Sequence, residues 1–299
     1  MTTPRNLIKG DKIAILAPAG KINKKIVLQA KKTINGWGLK VALGKHIFNP
    51  YFSYSATDAE RLEDFQRMLD DPTIKAILCA RGGYGSARII DQLDFKNFKK
   101  NPKWIIGFSD ITVLHNHILK HYGIETIHGT MAAGLDDSVI FPETSDSLKK
   151  VLFGETIKYE WPTNQNSRKG KCTGILTGGN LAILCSLLET PSEVDLQRKI
   201  LFIEEIGEHL YKIDRMMVQL KRAGKLENLA GLIVGGMTDI PDNKEDFGKT
   251  AFEIVKEAVD NYNYPLAFGF PAGHQDDNRA LILGRNAALH INEFSILKF

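Results

Sequence analysis

The chain has 299 residues, 43% hydrophobic and 25% charged, with 39 Lys and Arg against 35 Asp and Glu for a net charge of +4. That length exceeds the usual single domain and predicts two, while the mild charge, with no long basic block, argues against a nucleic-acid partner. Three cysteines without C-x-x-C spacing argue against a disulfide framework or a structural zinc site. The first residues lack the apolar core of a secretory signal and no apolar run is long enough to span a bilayer, so a cytoplasmic protein with no membrane partner is expected.

From the start of the chain, residues 1–155 alternate strand-like and helix-like stretches. Lys12 to Ala17 reads as a buried strand, followed by Pro18-Ala19-Gly20 and a helical pattern through Ile26, Leu28, Ala30 and Ile34. Lys40 to Leu43 is a second strand, Asp58 to Leu69 a helix with Leu62, Phe65 and Met68 on one side, Ile74 to Ala80 a strand, and Ser86 to Leu93 a helix. Trp104-Ile105-Ile106-Gly107 then ends at Phe108-Ser109-Asp110, an amphipathic segment runs to Gly123, and Glu125 to His128 forms a fifth strand. Strands regularly separated by helices predict a parallel, Rossmann-like sheet whose working groups gather at the C-terminal strand ends.

Residues 156–171 are polar and turn-rich and read as a linker to a second domain at 172–299. There Gly174 to Leu181 reads as strand, Gly turn and helix start, and Lys199 to Ile203 is a buried strand delivering Glu204 and Glu205 at its end. A helix from His209 to Ala223 carries Leu210, Ile213, Met217 and Leu220 as a stripe. Strands at Gly231 to Gly235 and Leu266 to Gly269 follow, then short ones at Ala280 to Leu283, Ala288 to Ile291 and Ser295 to Phe299, which together predict a smaller, β-rich domain.

Four features bear on chemistry, and each has a plain structural alternative. Ser109 at a strand-to-helix turn has the setting of a nucleophile elbow, although G-F-S-D-I is not G-x-S-x-G, and the alternative is a helix N-cap. Arg81-Gly82-Gly83-Tyr84-Gly85 can form an anion cradle or half of an oxyanion hole, or simply a tight connection. Glu204 leaves a strand of Ile-Leu-Phe-Ile near the rim of a buried sheet, or pairs with a nearby cation. His274, in a Pro/Gly turn after a strand, suits a general base, or is a surface histidine. Nucleophilic acyl transfer needs all of Ser, His and a carboxylate together. His115, His117 and His121 read as a solvated helix face; only the last two share a face, and no metal is required.

Several motifs in order make the chain resemble the LD-carboxypeptidases of the serine peptidase class, which include muramoyltetrapeptide carboxypeptidase and the microcin C immunity peptidases. They are Gly10 to Ala14 with Ala17-Pro18-Ala19-Gly20, Ala80 to Gly85, Gly107 to Asp110, His128-Gly129, Gly178 to Leu181, Glu204-Glu205 with Tyr211 and Asp214-Arg215, and Gly273-His274. The resemblance covers almost the whole chain. It implies Ser109 as nucleophile, His274 as general base and then acid, Glu204 as the carboxylate orienting His274, and an oxyanion hole of backbone amides near Gly83 and Asp110. The family pattern has Glu then Asp where this chain has Glu204 and Glu205, and strand alternation lets only one of the two face the cleft. A Rossmann-like N-terminal domain, a smaller β-rich C-terminal domain, an active site in the interdomain cleft and a homodimer are also implied, with no cofactor.

The implied reaction is hydrolysis of the amide between the L-centre of a diamino acid, meso-diaminopimelate or L-Lys, and a C-terminal D-Ala of a murein tetrapeptide, in cytosolic peptidoglycan recycling. Arg81 is the candidate for the substrate carboxylate and Asn180 for a substrate amide. Two alternatives stand beside it: an immunity-type peptidase of the same fold cleaving a peptidyl nucleotide toxin, and a non-catalytic protein binding anions or small ligands at its Gly-rich rims.

Overall fold

A computed structural model describes residues 1–135, 141–242 and 244–299. Among these the strands are β1 (Lys12–Leu16), β2 (Lys40–Leu43), β3 (Ile74–Cys79), β4 (Trp104–Gly107), β5 (Thr126–His128), β6 (Lys158–Pro162), β7 (Gly170–Asn180), β8 (Ile200–Ile206), β9 (Gly231–Thr238), β10 (Leu266–Phe268), β11 (Leu281–Leu283), β12 (Asn286–Ile291) and β13 (Phe294–Lys298). The helices are α1 (Lys24–Gly36), α2 (Asp58–Asp70), α3 (Ser86–Ile89), α4 (Lys96–Lys100), α5 (Thr112–Tyr122), α6 (Pro142–Phe153), α7 (Leu181–Ser186), α8 (Leu210–Arg222) and α9 (Ala251–Ala258). None is long and apolar enough to cross a membrane.

The first sheet has the order β11-β5-β4-β3-β1-β2, parallel except for β11. Its apolar strands feed two cores by strict alternation. Ile13, Ile15, Ala76, Leu78, Trp104 and Ile106 enter one, and Ala14, Leu16, Ile77, Cys79 and Ile105 the other, as a sheet covered on both faces requires.

The second sheet, β10-β9-β8-β7-β12-β13-β6, has two characters. From β10 to β7 it is parallel and covered by α7, α8 and α9, and from β7 to β6 it is antiparallel. The chain is therefore an α/β protein of two sheet-centred bodies. The stretch expected as a linker holds β6, whose alternation of exposed Lys158, Glu160 and Pro162 with buried Tyr159 and Trp161 makes it a half-buried edge strand.

Two local expectations are corrected. Leu281–Leu283, assigned by its place in the chain to the second domain, pairs antiparallel with β5 of the first sheet, Leu281 opposite His128. Two of the three histidines of α5 are not solvated, since every residue from Thr112 to Leu119 is buried, His115 and His117 among them, while His121 is exposed. The helix packs against β5, β7 and α7. His115 Nε2 lies 2.8 Å from Gly107 O, and His117 Nδ1 lies 3.0 Å from Ser192 Oγ.

Burial pushes the His115 imidazole down to about 4 from its ordinary 6.5. The unfolded chain therefore binds a proton below about pH 6.5 that the folded chain refuses, so stability present at neutral pH is lost as the pH falls from 6.5 towards 4. At pH 5 this group alone removes about 2 kcal/mol. Urea midpoints at pH 7.5 and pH 5 are expected to differ accordingly, and His115→Gln, which retains a donor for Gly107 O, is expected to narrow the difference.

Candidate active site

Ser109 has φ +64°, the left-handed region that non-glycine residues seldom occupy. Gly107, two residues before it, has φ +158°, and Ser109–Ile111 form a single 3₁₀ turn that runs into α5. Neither this turn nor α5 has a side-chain cap bond at its N-terminus. A strained serine at the C-terminal end of a central parallel strand, ahead of a helix N-terminus, has the form of a nucleophile elbow.

The Gly-rich loop closes over this turn. A Cβ on Gly82 would stand 2.8 Å from Ser109 Cβ, 2.9 Å from Ser109 Oγ and 3.5 Å from the Asp110 backbone nitrogen. Only glycine lets the loop lie this near the serine. Gly83 has φ +104° and Gly85 φ +145°, so these two of the three loop glycines sit where a side chain is strained. Gly82→Ala is expected to lower kcat/KM for any substrate attacked by Ser109 at least ~100-fold by displacing the hydroxyl, with the thermal midpoint little changed; steady-state kinetics and a melt on the same sample check this.

Two buried side chains lock the loop in place. Asp110, 1% exposed, accepts from the Ser86 backbone N–H at 2.8 Å. Burial raises its carboxyl above the usual range, and hydrogen bonds from Ser86 and Gly85 offset part of that. Arg61, 2% exposed, donates to Pro18 O, to Gly85 O at 2.9 Å and to Asp58. It joins the two Gly-rich strand ends, and Gly20 N–H adds a bond to Gly82 O at 2.9 Å. Sequence reading passed over Arg61, because nothing in an exposed-looking helix pattern marks one arginine as turned inward.

His274 and Glu204 meet across 70 residues of chain. Glu204 is fully buried and its Oε2 lies 2.7 Å from His274 Nδ1 and 3.2 Å from the His274 backbone nitrogen. A carboxylate oxygen can only accept, so Nδ1 carries the proton and Nε2 is left as a base. The approach depends on glycines. A Cβ on Gly273, φ +105°, would stand 2.7 Å from Glu204 Oε2. Opposite Glu204 the β8–β9 register shifts, and Gly236 N–H bonds Ala272 O at 2.9 Å, which draws the histidine loop onto the strand end.

The second carboxylate has other partners. Glu205 accepts from Asn180 Nδ2 at 2.8 Å, Ala182 N–H at 2.7 Å and Ile206 N–H at 2.9 Å. Asn180 is also the N-cap of α7, its Oδ1 accepting from Ile183 N–H at 3.1 Å. Both functions of that amide are thus engaged within the protein, in a residue 5% exposed. Arg81 is exposed, with Nη1 donating to Lys21 O at 3.2 Å.

Phe108 links the halves of the site. Its ring lies edge-on to His274, 4.8 Å between centroids, and it is the residue next to Ser109. Behind it His128 is 5.9 Å away between centroids and fully buried. Desolvation, then His115 and His274, hold His128 far below the ordinary histidine range, so it is neutral. Thr112 Oγ1, three residues past Ser109, accepts from the Asn180 backbone N–H at 3.1 Å. The strained serine, the loop amides, and an imidazole polarised by a buried carboxylate form a set suited to acyl transfer.

Family models described as the LD-carboxypeptidase N-terminal domain and the LD-carboxypeptidase C-terminal domain match residues 13–129 and 173–289. The chain is 38% identical to a probable murein peptide carboxypeptidase of Bacillus subtilis, over 97% of this chain and 92% of that protein. The chain belongs to the LD-carboxypeptidase family. The crystal structure of muramoyltetrapeptide carboxypeptidase from Oxalobacter formigenes matches this member of the family with a TM-score of 0.88 and 27% identity, covering 96% of this chain and 98% of that one. The microcin C7 self immunity protein MccF, solved with aspartyl sulfamoyl adenosine, shares the fold at a TM-score of 0.88 and 23% identity, over 98% and 97% of the two chains.

Proposed function

We propose that this chain is a serine LD-carboxypeptidase that releases D-Ala from murein tetrapeptides by cutting the amide after the L-centre of meso-diaminopimelate or L-Lys. Ser109 attacks the carbonyl, His274 Nε2 takes its proton and returns it to the departing amine, and Glu204 holds the imidazole tautomer and stabilises its cation. The N–H groups of Gly83 and Asp110 bind the oxyanion. The single observation that carries this reading is the 2.7 Å contact between Glu204 Oε2 and His274 Nδ1, on an imidazole whose edge packs against the neighbour of a left-handed serine. Membership of a family whose relatives are named murein peptide carboxypeptidases supports the substrate class. A cytosolic recycling role and a homodimer belong to the same proposal.

Mass-spectrometric turnover of L-Ala-γ-D-Glu-meso-diaminopimelyl-D-Ala and of its lysine counterpart tests it. Release of D-Ala is the expected result, and the faster substrate gives the diamino acid preference. Absence of turnover on both, with cleavage of a peptidyl nucleotide instead, would transfer the same residues to an immunity-type substrate.

A further inference from the structure

Beside Arg81, the residue expected to meet a substrate carboxylate, lies a hollow of about 410 Å³ whose lining includes none of Ser109, His274, Glu204, Gly83 and Asp110. It is lined by three cations, Lys21, Lys24 and Arg81, and by the apolar surfaces of Ile47, Phe48 and Pro50. The Lys24 ammonium stands 6.0 Å above the Phe48 ring. Among the described residues none of the three cations is paired with a carboxylate. Three like charges around one concavity repel one another, and an anion entering it relieves that repulsion.

The walls of this hollow are continuous with the site. Arg81 precedes Gly82, which bears directly on Ser109, and Lys21 follows Gly20, whose N–H bonds Gly82 O. Lys21 N–H bonds Ser53 O at 3.1 Å, and Ser55 Oγ donates to Ala17 O at 2.5 Å, which ties the far wall to the same strand ends. Arg81 in the wall of the hollow is thus the immediate chain neighbour of the glycine against the serine, and an extended peptide advances about 3.4 Å per residue. A peptide held at Ser109 therefore reaches the hollow with a group one or two residues from its reacting carbonyl.

Resting on the murein-peptide reading above, we propose that this hollow is a specificity subsite for a carboxylate carried upstream of the cleaved bond. Two such groups exist on the tetrapeptide, the α-carboxylate of the γ-linked D-Glu and the distal carboxylate of diaminopimelate. Arg81 and the two lysines bind the acid, and Phe48, Ile47 and Pro50 pack against the methylenes that carry it.

The test is a set of kcat/KM ratios, each acid against a counterpart that lacks the carboxylate: D-Glu against D-isoglutamine, diaminopimelate against lysine, and D-Ala against D-alaninamide at the C-terminus. In the parent protein one of the first two ratios is expected to be about 10 or more, as for a carboxylate among exposed cations. Lys21→Ala with Lys24→Ala is expected to bring that ratio towards 1, and Lys24→Glu to take it below 1. Which ratio collapses identifies the source of the acid. Both lysines are exposed, and a melt of each variant separates loss of discrimination from loss of fold. Ratios near 1 for both upstream acids in an active parent protein overturn the subsite and leave the carboxypeptidase reading standing. So does an upstream ratio that survives the double substitution, or a change confined to the D-alaninamide ratio. An inactive parent protein overturns both.

Discussion

Ser109→Ala is expected to abolish release of D-Ala, with kcat falling at least ~10⁴-fold while KM changes little, because the substitution removes the attacking atom and leaves the binding surfaces in place. Neither the 3₁₀ turn nor α5 is capped by a side chain, so the loss of the Ser109 hydroxyl frees no helix terminus. Alanine has the same difficulty as serine at φ +64°, and the melting temperature is expected to remain within about 2 °C of the parent. Mass-spectrometric detection of D-Ala and a thermal melt on one preparation check both halves. Turnover in the alanine variant at more than a hundredth of the parent rate would remove Ser109 from the mechanism.

Glu204→Gln is expected to cost about 10³- to 10⁴-fold in kcat, the scale seen when the orienting carboxylate of a serine peptidase is replaced by its amide. The amide retains the shape of the carboxylate, but its NH₂ turned towards Nδ1 favours the imidazole tautomer that leaves Nε2 protonated and unable to act as a base. Both His274 contacts fall on Oε2, so an NH₂ in that place also faces the His274 backbone N–H, and some loss of thermal stability is expected beside the loss of kcat. Glu204→Ala is expected to lose activity and stability together, since it opens a cavity at a fully buried position and leaves that N–H unpaired. Glu205→Gln gives the contrast. Glu205 caps and clamps α7, so its loss is expected to be read mainly in the melt and less in kcat. Comparable losses of kcat in the two Gln variants would argue against an orienting role specific to Glu204.

What could be read from the sequence was local. Strands β1 to β5, with their apolar alternation and Gly-rich ends, follow from patterns a few residues long, and so does the serine at the turn after β4. The pairing of Glu204 with His274 does not, because 70 residues separate them and each is unremarkable alone. Alternation along β8 puts Glu204 and Glu205 on opposite faces, but which of them faces the histidine loop depends on the register shift opposite Gly235 and Gly236. His115 and His117 were misread because a polar stripe signals solvent only when a helix has one packed side, and this one is buried all round from Thr112 to Leu119. The segment at 158–162 looked like a linker because turn residues follow it, although Tyr159 and Trp161 alternate inward.

Strand β11 adds one consequence. The chain leaves the second sheet at β10, passes through the His274 loop and at once becomes an edge strand of the sheet that bears Ser109. The loop is thereby suspended like a strap between two anchors. Its anchorage makes the halves poor candidates for modular exchange: a cut near residue 165 would leave the first half without the strand that covers β5, its exposed edge open to pairing with another chain. A grafted replacement for the second half would need to bring its own β11. A circular permutation that kept the span from β10 to β11 intact would preserve the strap, wherever the new ends were placed.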